Sequence, residues 1–461
     1  MLRDRNTSVS RCLAVWLVVS LAASTSLAAE KPPQRSIPIV GGSLTWEQAV
    51  RTAIENQPLI KVAEHEALES QALIKQIESA NYPQITGIYS SSGGNTRVLA
   101  NLGISGSLPK PTNYLTSPGI RADFLITDFG QTAHRILSQK SVAASAEKAI
   151  LTSKALAILS VEQAYLNCLK QQRLVEIARG VMHERDLIRQ QTDAFYRRQL
   201  RSKLDLDFAS VEFNRAEVVL IKAQNNLAMA FTALNTAMGF QGPGNYVLEQ
   251  GVLSVTPSAS PESLVQDALN LRPELLGSKD RVQAAEEALK AAKALRFGSV
   301  TAIGTLAYTW WGREEQPSGK DVSNPGAKLG WYGLGGTSAF PLYTGGRIEG
   351  QIDEADARKG ETQAATRSIA NDIVLQVAQA YLSRLTAEQQ IKVAEEKVAH
   401  AREALTLARE RYKASLGSIL DVTTATTDLL SAEVELAEAQ YEYRASEAAL
   451  AYATGVEYAR Y

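Results

Sequence analysis

Gln163-Ala164-Tyr165-Leu166 returns as Gln379-Ala380-Tyr381-Leu382, 216 positions further along the chain. The same offset pairs Phe124 with Phe340, Gly130 with Gly346, Ile136 with Ile352, Tyr196 with Tyr412, Ser202 with Ser418, Asp205 with Asp421 and Gly239 with Gly455, with no gap between them. The chain is an internal duplication. Loops tolerate insertions, whereas a packed helix that slips by one residue turns its buried face to solvent. An ungapped repeat of this span therefore implies helices of fixed length.

Helix breakers agree. Between Gly119 and Gly242 there is no proline, from Gln131 to Met238 the only glycine is Gly180, and from Leu342 onward proline is again absent. Gln131 to about Arg198 predicts a rod on the order of 100 Å at 1.5 Å per residue. Thr45 to Asn81 and Lys203 to Gly239 predict helices of roughly 55 Å each by the same rise. Two half-length helices stacked end to end would match one full-length helix. Pro261 to Arg296 and Ile419 to Thr454 repeat this around the long run Arg347 to Lys413. Thr45 with Gln48 forms a capping box for a helix expected to run to about Ala80, and Ser260-Pro261 opens the second copy. Ala53-Ile54 with Pro58 matches Ala268-Leu269 with Pro273. Alanine-rich faces suit close helix packing, although a soluble coiled coil would show the same periodicity.

Residues 1–28 carry Arg3, Arg5 and Arg11 before a short apolar run and a small-residue end at Ser26-Leu27-Ala28, the pattern of a cleavable secretory signal. The apolar run is well short of the roughly 20 residues that span a bilayer. Residues 29–43 read as a flexible lead, 44–240 as the first repeat, 241–260 as a linker at the equator, and 261–461 as the second repeat. Cleavage after Ala28 removes three arginines and Asp4, leaving 45 basic and 48 acidic residues, a balance without a nucleic-acid footprint. Cys168 is then the only cysteine and reads as a small core residue. His65, His134, His183 and His400 are far apart and read as helix-surface residues; none has metal-ligand spacing. There is no catalytic constellation, phosphate loop or cofactor motif, so the expectation is a protein that is not an enzyme and needs no cofactor.

Two stretches in each copy depart from helical periodicity. Ile120, Ala122, Phe124 and Ile126 alternate with Arg121, Asp123 and Thr127, and a weaker alternation runs from Thr337 to Leu342. Further strands are expected near Ile85–Ser91 and Val300–Trp311, joined to these by the Gly/Ser/Asn/Pro-rich connections Ser92–Pro118 and Gly312–Gly330. Trp310, Trp311, Trp331 and Tyr332 flank the second connection, as aromatic residues do at a bilayer boundary. Ordinary hairpins capping a soluble bundle are the alternative. Roughly ten residues per strand is the length of a tilted membrane strand, and four strands cannot close a barrel, whereas three copies supply twelve.

Pro341-Leu342-Tyr343-Thr344-Gly345-Gly346-Arg347 resembles the strand-to-helix junction of TolC-like outer-membrane efflux proteins, and Arg411 to Val422 resembles their periplasmic helix-turn-helix tip. The resemblance covers nearly the whole mature chain. It implies a mainly α fold with membrane β: a duplicated long-helix α-barrel with four strands per protomer contributing to a trimeric, twelve-stranded outer-membrane β-barrel. It also implies a homotrimer held in outer-membrane lipid, with its helical part in the periplasm. The partners implied are a periplasmic adaptor (membrane fusion) protein and an inner-membrane transporter, in a tripartite efflux or type I secretion system. The alternative class is a non-conducting coiled-coil scaffold of the envelope.

The resemblance also carries residue roles. Asp421 falls in a constricting acidic ring, and Tyr412 and Asp205 in links between neighbouring columns, while both aspartates also suit helix first turns on the residues alone. Gly417 stands where an arginine link can occur, and Thr424 where a second acidic residue can. Leu200, Arg198, Arg201, Leu416 and Gly417 lie at the tips as an expected adaptor-docking surface. Pro341, Gly345, Gly346 and Gly130 make the strand–helix junctions. The first copy departs there, with Leu125 at the proline position and Phe129 at the first glycine.

Overall fold

The computed structural model describes residues 43–94, 113–244, 246–249, 260–313, 328–414 and 416–456. The expected signal, most of the lead, and parts of the linker and of both strand connections lie outside the described residues.

Thr45 starts α1 (Trp46–Asn56): its hydroxyl accepts the Gln48 amide at 3.3 Å, and the Gln48 side chain accepts the Thr45 N–H at 3.1 Å. The helix expected to reach Ala80 stops after Asn56 and restarts as α2 (Pro58–Glu78). Proline lacks an N–H and forces the residue before it out of the helical region. Gln57 accordingly sits at φ −66°, ψ 120°. The second copy breaks identically between α5 (Pro261–Leu271) and α6 (Pro273–Ala294), with Arg272 at φ −67°, ψ 121°.

The long helices α3 (Gln131–Arg197) and α7 (Arg347–Lys413) have 67 residues each, and both ends stand one offset apart. After a tight turn the chain returns along α4 (Lys203–Ala237) in the first copy and α8 (Ile419–Thr454) in the second. Within the chain, α4 packs along α3, α8 along both α7 and α3, and α6 along both α3 and α7.

The largest core cluster gathers Val50, Ala53, Val161, Tyr165, Cys168, Phe231 and Leu234. The Tyr165 hydroxyl lies 2.9 Å from the Leu44 carbonyl and 2.7 Å from the Glu249 carbonyl, so its proton is shared between them. It thereby clasps β1 (Ser43–Leu44) to its parallel partner β4 (Val247–Leu248). Burial pushes the Tyr165 phenol up to about 12 and the Cys168 thiol up to about 12. Cys168 is fully buried, as a core residue should be.

The second copy fills the equivalent place differently. Cys168, Leu227 and Phe231 correspond to Arg384, Tyr443 and Glu447. Arg384 donates to the Tyr443 hydroxyl at 3.3 Å and stands 3.8 Å from the Glu447 carboxylate, both charged side chains being largely buried. One repeat is apolar where the other holds an ion pair.

Four strands form one antiparallel sheet in the order β2 (Gln84–Gly94), β3 (Asn113–Thr127), β5 (Ser299–Arg313), β6 (Lys328–Ala339). The strands run further into the connections than the sequence predicts, to Gly94 and back to Asn113, and from Lys328. Pairing between strands supplies hydrogen bonds that local composition does not register. The strand expected over 337–342 ends at Ala339, before Phe340 and Pro341.

Candidate functional site

The sheet has two chemically distinct faces. Register stacks Gly87, Ile120, Leu306 and Tyr332 in one row across all four strands. Side chains alternate along a strand, so Ile85, Tyr89, Phe124, Tyr308, Trp310 and Leu334 share that face. These are exposed in the protomer, Leu334 at 88 % and Tyr332 at 86 %. The opposite face carries Thr86, Ser90, Arg121, Asp123, Thr305 and Thr309. There Arg121 is bidentate to Asp123 at 2.8–3.0 Å, Ser117 and Thr309 hydroxyls meet at 2.8 Å, and the Trp331 indole donates to Thr309 at 3.0 Å. The outer edges of β2 and β6 have no strand partner among the described residues. A sheet with an exposed apolar face, a polar face and two open edges fits a segment of a barrel.

At the foot of the sheet both long helices begin with left-handed backbone. Gly130 (φ 94°) and Gly346 (φ 82°) are the N-cap residues of α3 and α7. Gly345 precedes the second at φ 61°, and Phe129, its counterpart, takes φ 57° without being glycine. The missing glycine therefore changes the strain and keeps the path. A left-handed non-glycine residue costs about 1–2 kcal/mol. Two local features offset it. The Asp128 carboxylate accepts the Gly130 N–H at 3.2 Å and the Thr132 N–H at 2.7 Å, and the Phe129 ring packs 5.9 Å from Phe297 and 6.3 Å from Phe340. Pro341 stands two residues beyond the strand end.

At the far ends of the helices the two turns share a closing hydrogen bond and a capping box. Leu200 donates to the Phe195 carbonyl at 2.9 Å and Leu416 to the Arg411 carbonyl at 2.8 Å, the same six-residue closure one offset apart. Both leucine side chains project into solvent, 66 % and 74 % exposed. Ser202 and Ser418 then cap α4 and α8 with reciprocal boxes. The Asp205 carboxylate accepts the Ser202 N–H at 3.2 Å, and the Asp421 carboxylate accepts the Ser418 N–H at 2.9 Å. Each aspartate serves the start of its own helix. Arg198 is exposed, whereas Arg201 folds back half-buried. The Arg201 guanidinium lies 4.5 Å above the Tyr412 ring and 3.3 Å from the Tyr412 carbonyl. Tyr412 is buried, and its hydroxyl has no hydrogen-bond partner among the described residues. At Gly417 a Cβ would meet Arg411 Cβ at 3.3 Å, so the turn is tight there.

Three sets of contacts, two of them wholly between the hairpins and one both within and between them, escape sequence reading. Glu184 pairs with Arg409 at 2.5 Å, and Arg185 pairs with Glu212 while donating to Thr427 at 3.0 Å. Arg201 on Tyr412 is the third. Their members are 27 to 242 positions apart and hidden among many surface charges, so periodicity gives no signal for them. Asp128, two residues before the N-cap Gly130, accepts the Gly130 N–H in an Asx turn, a signal that the turn preference of aspartate could have supplied. Of the histidines, His65, His183 and His400 are exposed on helices, as expected. His134 is half-buried, its Nδ1 2.7 Å from Glu287, which Lys290 also reaches at 2.7 Å. Hydrogen bonds from Lys290 and then His134 hold the Glu287 carboxyl below its ordinary value. Among the described residues there is no group of three or more metal-binding side chains and no helix long and apolar enough to cross a membrane.

The profile of the family described as outer membrane efflux protein matches residues 49–240 and 264–456. The cation efflux system protein CusC of Escherichia coli (strain K12) is 23% identical over 414 residues, 88% of this chain and 85% of that protein. Outer membrane protein TolC of Vibrio cholerae is 25% identical over 292 residues, 62% of this chain and 64% of its own length. Among solved structures, CusC superposes with a TM-score of 0.75 at 20% identity, over 92% of this chain and 96% of that one. The CmeC outer membrane channel of Campylobacter jejuni gives 0.75 at 16% identity, over 89% and 85%. These structural likenesses concern the fold.

Proposed function

The chain belongs to the outer membrane efflux protein family, and on that premise we propose that it is the passive exit duct of a tripartite efflux or type I secretion system, working as a trimer. It is an outer-membrane protein with its helices on the periplasmic side. The observation that carries the proposal is the two-faced sheet with both edges open. Four strands cannot enclose a lumen, whereas three copies joined edge to edge bring twelve, an even number within the range of membrane barrels. The apolar face then meets lipid and the polar face water. A coiled-coil scaffold would have no use for such a sheet.

In this reading the helical tips do two things. Leu200, Arg198, Leu416 and the tight turn at Gly417 form a docking surface for a periplasmic adaptor, since two exposed leucines at equivalent turns are explained by a partner that covers them. Asp421, repeated three times around an axis, forms an acidic ring that filters permeants, and Tyr412 and Asp205 hold the columns inward. Energy comes from an inner-membrane transporter; the duct supplies passage and a gate. Purified mature protein is expected to be a trimer in detergent and to form pores in planar bilayers. A monodisperse monomer that inserts and conducts would refute the proposal.

A further inference from the structure

Beside the second strand-to-helix junction lies a cavity of about 260 Å³. It is lined by Arg296, in the single turn after α6 (Leu295–Phe297), by Leu342, Tyr343 and Thr344 in the link, and by Ile348 and Glu349 of α7. Arg296 and Glu349 are both exposed, and neither forms an ion pair among the described residues. The first copy is built otherwise. Thr344 stands where that copy has Asp128, whose buried carboxylate accepts two backbone N–H groups and closes the junction from within. The turn that matches Leu295–Phe297 is Ser79–Asn81, which carries no charge. The second junction thus replaces an internal carboxylate with an exposed cation and an exposed anion on one cavity. Leu342 and Tyr343 are 98 % and 91 % exposed, and they adjoin Phe340, which falls in the even-numbered register of Tyr332 and Leu334 on the apolar face of the sheet. A strand added to the open edge of β6 would not cover them. Ile126, the counterpart of Leu342, lies in β3 between β2 and β5 and is still 58 % exposed.

We propose that this cavity holds the headgroup of a phosphoethanolamine lipid from the periplasmic leaflet, with Arg296 on the phosphate, Glu349 on the primary ammonium, and Leu342 and Tyr343 against the acyl chains. In an outer-membrane protein whose helices lie on the periplasmic side, the foot of the sheet is where the headgroups of that leaflet meet the chain, and the apolar ledge continues the face that lipid already covers. Charge complementarity selects the headgroup. The cavity offers one charge of each sign, so a purely anionic headgroup leaves Glu349 facing a like charge, and a choline headgroup brings no N–H for the carboxylate. A phosphoethanolamine without chains would meet the two charges and leave the apolar ledge in water. The site goes beyond the duct reading, since it requires outer-membrane placement alone, and it binds one lipid per chain.

Native mass spectrometry of the full-length mature protein, delipidated in detergent and titrated with single phospholipids of matched acyl chains, tests this. Phosphatidylethanolamine should be retained at one per chain, about tenfold more tightly than phosphatidylglycerol or phosphatidylcholine. Arg296→Glu should weaken that retention about tenfold. Glu349→Gln keeps the partner of the phosphate and should abolish the preference for phosphatidylethanolamine over phosphatidylglycerol, a change that a merely structural role would not produce. Glycerophosphoethanolamine, the headgroup without chains, should fail to displace the bound lipid at equal concentration. Equal retention of the three lipids by the wild type, or wild-type retention by Arg296→Glu, overturns the site, and displacement by glycerophosphoethanolamine assigns the cavity to a soluble ligand and overturns the lipid. Lipid is counted per chain, so a monomer by mass would refute the trimeric duct without altering this result.

Discussion

Tyr412→Phe separates two states of one buried hydroxyl. In the protomer the phenol oxygen is buried with no partner among the described residues, and the ring is held from above by Arg201 at 4.5 Å. An orphaned buried hydroxyl costs about 1–3 kcal/mol, so in an isolated chain phenylalanine should be tolerated or even stabilising. In the proposed closed trimer the hydroxyl is satisfied by a neighbouring column, with Asp205 as the acceptor. Losing one such bond removes about 1 kcal/mol. Repeated in three protomers this is about 3 kcal/mol, a little over a hundredfold in the ratio of open to closed states. Single-channel recording in planar bilayers should therefore show a resting open probability raised by about two orders of magnitude. Wild-type resting conductance together with a raised melting temperature would show that the hydroxyl stays unpartnered in the assembly, and would end its role in the gate.

Asp421→Asn keeps an acceptor oxygen for the Ser418 N–H, so α8 should lose less than about 1 kcal/mol while the ring loses its charge; reduced cation selectivity and relief of block by divalent or trivalent cations are expected, and unchanged selectivity would confine Asp421 to its capping role. Arg198→Glu or Leu416→Asp should weaken adaptor binding about tenfold or more, roughly 1.4 kcal/mol, with trimer assembly intact; unchanged cross-linking to the adaptor and unchanged efflux in cells would reject the docking surface. Glu287 has a depressed carboxyl pKa in the folded protein, so its contribution is present above the ordinary carboxylate value and is lost as pH falls through the lower folded value. Glu287→Gln should flatten the acid dependence of the melting temperature below about pH 5, and a wild-type slope would count against the His134–Glu287–Lys290 cluster.

The long helices were legible because their signal is long. α7 and α8 begin and end where breakers and caps place them, at Arg347–Lys413 and Ile419–Thr454. Pro58 and Pro273 were visible as a matched pair, yet the break they impose was missed, because apolar periodicity resumes in phase on the far side. The strands were legible only in part. The alternation around Ile120–Ile126 was clear, whereas β6 begins in a Gly-rich stretch whose extended form depends on its pairing with β5. At the tips the exposed leucines and capping aspartates could be placed from the offset. The inward fold of Arg201, the Glu184–Arg409 pair and the buried Arg185–Glu212 pair could not, because they join segments brought together only by packing. Phe129 shows that composition can mislead locally: its backbone follows the glycine path, supported by Asp128.

A chain made of two near-equal halves faces a hazard during folding that a chain of unlike halves does not. α7 could close on α4 as its hairpin partner in place of α8, and α3 on α8 in place of α4, since lengths and turns match. The buried set of Arg384, Tyr443 and Glu447 makes those errors unfavourable. Wrong pairing would press Arg384 against Leu227 and Phe231 and leave Glu447 facing Cys168, each a buried charge without its counter-ion, at about 3–5 kcal/mol. Misassembly between similar units is the characteristic failure of repeat proteins. A single ion pair in one repeat, answered by an apolar patch in the other, gives each hairpin an identity that its length and periodicity do not.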